Sequence, residues 1–249
     1  MTLADLAAFA GSLADAARAV TLGAADRMAE DKGTGGIYDP VTAADREAER
    51  VIRALIEQAF PDHGISGEEL GTKEGDGRYV WSLDPIDGTR AFICGLPSWT
   101  TLIALLEDGA PVLGLIDVPV LDERYVGFAG ASGLRASECR SLKDALASTT
   151  DPYLFAGAEA EGFARLRRAA RLTRYGYDAY AYARLSAGGI DLVAESGLKP
   201  HDYNALIPVV RAAGGVIGNW RGDDDFAEGQ VLAAATRELF DEAVRVLNP

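Results

Sequence analysis

Apolar residues recur at Leu3, Leu6, Ala10, Leu13, Ala17, Val20 and Ala24. Their spacing by threes and fours predicts one long amphipathic helix across residues 1–30, broken near Gly11 or Gly23. A loop over 31–40 follows, with Gly33, Gly35 and Gly36 and with Lys32, whose side chain is long enough to reach a phosphate. Thr42 and Asp45 have the spacing of a helix-opening capping box, and Ala48, Val51, Ile52, Leu55, Ile56 and Ala59 form the buried stripe behind them until Pro61 stops the helix.

The pattern then turns to strands. Residues 64–70 predict a short strand ending in Glu68 and Glu69, and 79–83 a buried one ending at Asp84. The glycine-rich turn between them predicts a hairpin that returns Asp84 beside Glu68. A short helix over 89–94 closes at Gly95, and 99–106, 112–118 and 124–128 read as an antiparallel meander with turns at Asp108 and Gly109 and around 119–123. The pattern fades over 134–147, which sets a boundary between an N-terminal α+β unit, 1–140, and a C-terminal α/β unit, 141–249. Beyond it come a strand at 153–156, helices at 161–172 and 178–187, a strand at 190–194, a helix at 205–213 kinked by Pro208, strands at 216–220 and 231–235, and a helix at 237–247. This alternation implies a parallel or mixed sheet covered by helices.

Composition narrows the function classes. The chain has 249 residues, 48% of them hydrophobic, enough for one large core or two small ones. A net charge of −14 removes the electrostatic footprint of a nucleic-acid or anionic-membrane binder. It also makes the handling of an anionic substrate depend on a bound cation. Arg165, Arg167, Arg168, Arg171 and Arg174 form the one positive cluster in the sequence and read as a solvated helix face or subunit contact. No apolar run approaches the ~20 residues of a membrane span. Residues 1–30 carry Asp5, Asp15 and Asp26 and lack the order of a signal peptide. Cys94 and Cys139 alone make no disulfide framework. The expectation is a cytoplasmic protein with no nucleic-acid and no membrane partner.

The chemistry begins where Val80, Trp81, Ser82 and Leu83 run into Asp84 and Asp87. Paired carboxylates at the end of an apolar strand repel each other and lose hydration unless a cation neutralises them. Pro85 stiffens the turn, Gly88 lets it bend, and Thr89 opens a helix whose N–H groups face an anion. Glu68, Asp84, Asp87 and Asp202 come from the ends of four elements, at turns where side chains converge. All are hard oxygen donors, and no histidine or cysteine cluster competes with them. Two or three Mg²⁺ ions, or Mn²⁺, are therefore expected rather than Zn²⁺. Such ions activate a water, neutralise phosphate oxygens and stabilise the leaving alkoxide. Thr89, oriented by Asp45, would position the water, and the N–H groups of Gly88 and Thr89 would hold the phosphate. Asp45 serves equally well as a plain helix cap, and both roles stay open. His63 and His201 read as structural. The outcome is a phosphomonoesterase acting on a small phosphorylated metabolite without a covalent nucleophile.

Asp84, Pro85, Ile86, Asp87, Gly88 and Thr89 after Trp81, with Gly67, Glu68 and Glu69 upstream, Val41, Thr42 and Asp45 before them, and Asp202 followed by Ala213, Gly214 and Gly215, resemble the inositol monophosphatase family over nearly the whole chain. The resemblance implies a layered αβαβα sandwich. It also implies magnesium ligands at Glu68, Asp84, Asp87, Asp202 and the Ile86 carbonyl, with Thr89, Asp45 and Glu68 as the catalytic set, and it implies inhibition by lithium and a homodimer. Arg90, Ala91, Phe92 and Ile93 before Gly95, Leu96 and Pro97, together with the segments at 195–200 and 202–208, resemble the family's histidinol-phosphate phosphatase branch. L-Histidinol phosphate carries an ammonium and an imidazole, so an acidic pocket suits it. Glu195 would take the amino group with Asp178 nearby, while Gly88, Thr89, Arg90 and Asp202 complete the substrate contacts. His201 departs from the aromatic residue expected in that branch. The alternatives are an inositol-1-phosphatase or a broad sugar-phosphate phosphatase and, from a different class, a silent regulatory protein on the same fold.

Overall fold

The structure is a computed structural model that describes residues 1–24, 27–32 and 40–248. Helix α1 (Leu3–Thr21) opens on a reciprocal cap between Thr2 and Asp5 and buries Leu6, Ala10, Leu13, Ala14 and Ala17. It stops short of the thirty residues that the spacing predicts. Past Gly23 the chain no longer follows the helix: Ala24 packs against the cluster of Ile86, Phe92 and Trp99, Met28 is exposed, and β1 (Ala29–Asp31) pairs antiparallel with β2 (Pro40–Thr42). Most of the predicted glycine loop, residues 33–39, lies outside the described residues. Helix α2 (Ala43–Ala59) begins on the predicted box: Thr42 Oγ1 accepts from the Ala44 N–H at 3.2 Å, and Asp45 Oδ2 accepts from the Thr42 N–H at 3.0 Å.

The predicted hairpin is differently built. Strands β3 (Gly64–Gly67) and β4 (Gly71–Lys73) form the tight hairpin, and β5 (Tyr79–Asp87) returns on the other side of β3, parallel to it. Glu68 and Asp84 still meet, because Gly67 is in register with Leu83 and both strands release their next residue at one edge. The Glu68 N–H donates to the Leu83 carbonyl at 3.1 Å. After α3 (Thr89–Ile93), strands β6 (Thr100–Glu107), β7 (Ala110–Val118) and β8 (Glu123–Phe128) form the predicted meander. They complete a six-stranded sheet of order β4-β3-β5-β6-β7-β8.

The second half holds β9 (Leu146–Thr149), α4 (Gly157–Ala169), β10 (Leu172–Tyr175), α5 (Tyr180–Ser186), β11 (Leu192–Glu195), α6 (Pro200–Tyr203), α7 (Leu206–Ala212), β12 (Val216–Gly218), β13 (Val231–Ala234) and α8 (Arg237–Leu247). Its five strands form a mixed sheet of order β10-β9-β11-β13-β12. Residues 153–156 are not a strand, for Tyr153 is 92% and Leu154 55% exposed. The strand is β9, hidden by its small and hydroxylated residues, and β10 begins at Leu172, the last residue of the predicted 161–172 helix, while α4 already ends at Ala169. The break predicted at Pro208 falls earlier, at 204–205, between α6 and α7. Pro208 sits in the first turn of α7, where a missing N–H loses no helical bond.

Five layers result. Helices α1 and α2 cover one face of the six-stranded sheet, with Leu13, Ile52 and Ile56 on Trp81, Ile103 and Leu105. The opposite face and the inner face of the five-stranded sheet share α5 and α7, where Tyr182, Leu206 and Val209 pack between Leu102 and Ile116 on one side and Val193 and Val231 on the other. Helices α4 and α8 close the outside, with Phe163, Leu166 and Phe240 on Leu192 and Leu232. Successive residues of one strand, such as Leu102 and Ile103, enter different cores. With both faces covered, the strands read as continuous apolar runs. The middle layer sits close: a Cβ at Gly114 would lie 2.1 Å from the Ala205 carbonyl, and one at Gly127 2.3 Å from that of Pro208. This approach, with the Asn204 amide donating to Ser82 Oγ at 3.2 Å, lays α6 and its Asp202 over the end of β5.

Candidate active site

Strand β5 pairs regularly with β6 as far as Asp84 and resumes only at Asp87. In a regular strand, residues three apart face opposite sides. The irregularity at Pro85 and Ile86 cancels that alternation and lets both carboxylates turn to one side. Thr101 Oγ1 donates to the Pro85 carbonyl at 2.8 Å, Thr100 Oγ1 to Asp87 Oδ2 at 3.2 Å, and the Ile86 N–H to Asp84 Oδ1 at 3.1 Å. Asp202 arrives from the first turn of α6, its Oδ2 accepting from the Lys199 N–H at 2.6 Å. One oxygen from each of Asp84, Asp87 and Asp202 lies within 4.8 Å of the others.

These groups have little water to dilute their repulsion. Asp84 is 2% exposed, and burial followed by the charge of Glu68 pushes its carboxyl well above the usual range. Burial followed by the charge of Asp178 does the same to Asp87. Three converging carboxylates raised in this way fit a divalent cation, and a donor set made of oxygen alone fits a hard one. Glu68 acts on Asp84 through its charge and does not join the trio. Its Oε1 accepts from Lys32 Nζ at 2.7 Å, and Lys32 also holds Glu69. Burial, the largest single influence, works to raise Glu68, but the bond to Lys32 and the charges of His201 and Lys32 together outweigh it and keep the carboxyl below its usual range.

The expected partnership of Thr89 with Asp45 is not formed. Thr89 Oγ1 donates to the Ile86 carbonyl at 3.1 Å. Asp45, 1% exposed, spends Oδ2 on the N–H and hydroxyl of Thr42, so the capping reading describes its contacts. Gly88 needs its left-handed φ of 80° and its lack of a side chain, since a Cβ there would stand 2.7 Å from Asp178 Oδ2. Arg90 is exposed, and its charge acts on Asp178. His201 Nε2 lies 3.5 Å from Asp202 Oδ1, closer to the site than a purely structural reading predicts. His63 accepts from Trp81 Nε1 at 3.1 Å and stacks on Phe60, as that reading does predict.

Beside Asp87 and Asp202 opens a cavity of about 180 Å³, walled by Asp178, Tyr182, Glu195 and Leu206. Glu195, 5% exposed, accepts from the Thr150 N–H at 2.7 Å and from the hydroxyls of Thr150 and Thr149, each at 3.1 Å. Burial nevertheless pushes its carboxyl up to about 8. Asp178, also raised by burial, to about 6, precedes Ala179, whose N–H donates to Asp87 Oδ2 at 2.8 Å. The start of α5 is thereby docked on the carboxylate cluster. Sequence reasoning missed Thr149, Thr150 and Tyr182. Thr149 ends and Thr150 follows a strand that the pattern did not show, and Tyr182 reads as one more residue on a buried helix face.

Residues 2–248 match the inositol monophosphatase family. The chain belongs to this family. It is 46% identical over 205 residues to the bifunctional phosphatase IMPL2, chloroplastic, of Arabidopsis thaliana, covering 79% of this chain and only 59% of that relative. It is 34% identical over 252 residues to a histidinol-phosphatase of Streptomyces coelicolor, covering 95% of this chain and 94% of the relative. Among solved structures, an inositol monophosphatase from Zymomonas mobilis has a TM-score of 0.87 at 39% identity, with 100% of each chain covered. The αβαβα sandwich is the fold of this family, whose members are metal-dependent phosphatases, typically using Mg²⁺, that act on small phosphorylated substrates. Among the described residues, no helix is long and apolar enough to cross a membrane.

Proposed function

We propose that this member of the inositol monophosphatase family hydrolyses L-histidinol phosphate to L-histidinol and phosphate, by direct attack of water and with Mg²⁺, or Mn²⁺ in its place. The observation that carries the reading is Glu195, a buried carboxylate that opens with Asp178 onto the cavity beside Asp87 and Asp202. A polyol phosphate has no cation to pair with a buried carboxylate, whereas an amino-alcohol phosphate does.

Asp84, Asp87, Asp202, Glu68 and the Ile86 carbonyl would hold the ions, which when bound lower the pKa of a water and neutralise phosphate oxygens. The N–H groups of Gly88 and Thr89 take phosphate oxygens where β5 turns into α3. Thr89, anchored on the Ile86 carbonyl, orients the water on the side away from the leaving group. Glu68 and Asp45 supply the negative charge that favours transfer of the water's proton. Glu195 pairs with the substrate ammonium, while Asp178 borders the same cavity and Arg90, whose charge acts on Asp178, sets the charge balance at that end. The same reading carries a homodimer, inhibition by lithium and a cytoplasmic location.

A second reading, hydrolysis of an inositol monophosphate, draws on the likeness to the inositol monophosphatase of Zymomonas mobilis. Purified protein with Mg²⁺ tests the choice through kcat/KM for L-histidinol phosphate and for myo-inositol 1-phosphate. The first reading expects L-histidinol phosphate to be turned over more efficiently, and it fails if the inositol ester is hydrolysed as well or better.

A further inference from the structure

Tyr182 packs its ring in the central core and is 1% exposed. Its hydroxyl is one of four buried side-chain polar atoms among the described residues that lack a hydrogen-bond partner. Leaving such a group unpaired costs stability, and buried polar atoms are nearly always satisfied. Tyr182 lines the 180 Å³ cavity. The side chains whose charges act on its hydroxyl are Glu195, Asp87 and Asp202, all of them walls of that cavity. Tyr182 is thus a residue of the cavity wall that carries an unpaired hydroxyl.

The remaining side-chain hydroxyls of the wall are already engaged. Thr150 Oγ1 donates to Glu195 at 3.1 Å, and Ser196 Oγ donates to Glu159 at 2.6 Å. The carboxylates of Asp87, Asp178, Glu195 and Asp202 accept only, once ionised. Among the described residues lining the cavity, the wall offers several acceptors and one side-chain donor that is unspent. A complementary head group must bring a cation or donor for the carboxylates and a lone pair for the phenol. A neutral imidazole next to an ammonium has that combination, with one ring N–H and one bare nitrogen.

We propose that Tyr182 determines specificity in this site: its hydroxyl donates a hydrogen bond to an acceptor atom of the substrate's leaving group, which in L-histidinol phosphate is the unprotonated ring nitrogen. The identity of that acceptor rests on the substrate reading above, while the contact itself does not. Tyr182→Phe removes the oxygen alone and leaves the core volume nearly unchanged. With Mg²⁺ bound, the variant is expected to lose about 5- to 20-fold in kcat/KM on L-histidinol phosphate, the worth of one hydrogen bond of 1–1.8 kcal/mol. On phenyl phosphate, whose leaving group has no such nitrogen, it changes less than about twofold. Inhibition by L-histidinol weakens by the same factor as kcat/KM, while inhibition by inorganic phosphate holds. The variant's Tm stays level or rises, because an unpaired buried hydroxyl has been removed, and this separates a lost contact from a lost fold. Equal losses on both esters, or none on L-histidinol phosphate, overturn the proposal. If the wild-type protein ignores L-histidinol phosphate and hydrolyses myo-inositol 1-phosphate, the substrate reading alone falls. Tyr182 is then judged by the same ratio between that ester and phenyl phosphate: a loss confined to the inositol ester sustains the contact, and an equal or absent loss overturns it.

Discussion

Lys32 places its ammonium 2.7 Å from Oε1 of Glu68, a carboxylate whose charge acts on Asp84 in the cluster. The lysine thus supplies positive charge at the edge of a site built for a metal ion, and the two cations compensate the same negative group. Without divalent ions, Lys32→Met should destabilise the protein by about 2 kcal/mol, since both carboxylates lose their partner in a partly buried setting. That corresponds to a drop of roughly 4–8 °C in Tm for a chain of this size. Saturating Mg²⁺ should close at least half of the gap. Thermal melts of both proteins in chelator and in Mg²⁺ check this, and a gap that Mg²⁺ leaves untouched would mean that lysine and metal do not share the carboxylate.

Asp84 is the most withdrawn member of the cluster, raised by its own burial and then by the charge of Glu68. Asp84→Asn keeps the shape and removes one of the repelling charges. The metal-free variant is therefore expected to be as stable as the wild type, or more so by about 1 kcal/mol. Its turnover should fall at least about 10³-fold, and the rise in Tm on adding Mg²⁺ should disappear. Mg²⁺-dependent activity within about tenfold of the wild type is incompatible with Asp84 as a ligand.

The site was more legible than the route that builds it. Asp84, Asp87 and Asp202 could be found because charge at the end of an apolar strand or at a helix start has few structural uses. The three-stranded meander and a sheet covered by helices followed from apolar runs and clear turns, and the layered sandwich from the family resemblance. Glu68 was placed beside Asp84 for the wrong reason, since period-two patterning carries no information on whether a returning strand lies parallel or antiparallel. Strand β9, whose Ala147, Ser148 and Thr149 are small or hydroxylated and fully covered, has no alternation to detect. With it went Thr149 and Thr150, the residues that hold Glu195. Asp45 shows the opposite limit: its spacing from Thr42 encodes a cap, and nothing in the sequence separates a cap from a catalytic carboxylate.

Thr89 donates to the Ile86 carbonyl and so is fixed by the backbone of the same turn that presents the carboxylates. In the proposed mechanism a hydroxyl held in this way would orient the attacking water more than bind the ester. Thr89→Ala should lower kcat by about 10²-fold while KM moves less than about threefold. Steady-state kinetics on any ester the protein hydrolyses decide it. A change confined to KM assigns Thr89 to substrate binding alone.

Glu195 carries a dependence on pH whose sign follows from its burial. Its carboxyl is raised from 4.5 to about 8, so the folded protein prefers the neutral form. The stability this provides is complete below the unfolded value near 4.5 and is lost as pH rises through about 8. The urea midpoint should therefore decline across that window, and Glu195→Gln, neutral throughout, should flatten the decline. Recognition runs the other way, because only the ionised carboxylate pairs with an ammonium. Below about pH 8 the wild-type kcat/KM for L-histidinol phosphate, divided by that for an amine-free phosphate ester, should rise with pH by up to about tenfold per unit. In Glu195→Gln the ratio should be low and flat. Dividing by the amine-free ester cancels the titration of the metal cluster, which both substrates share. A wild-type ratio that does not move between about pH 6 and 8, or equal losses on both esters in the glutamine variant, removes Glu195 from recognition and leaves it a buried carboxyl held by two threonines.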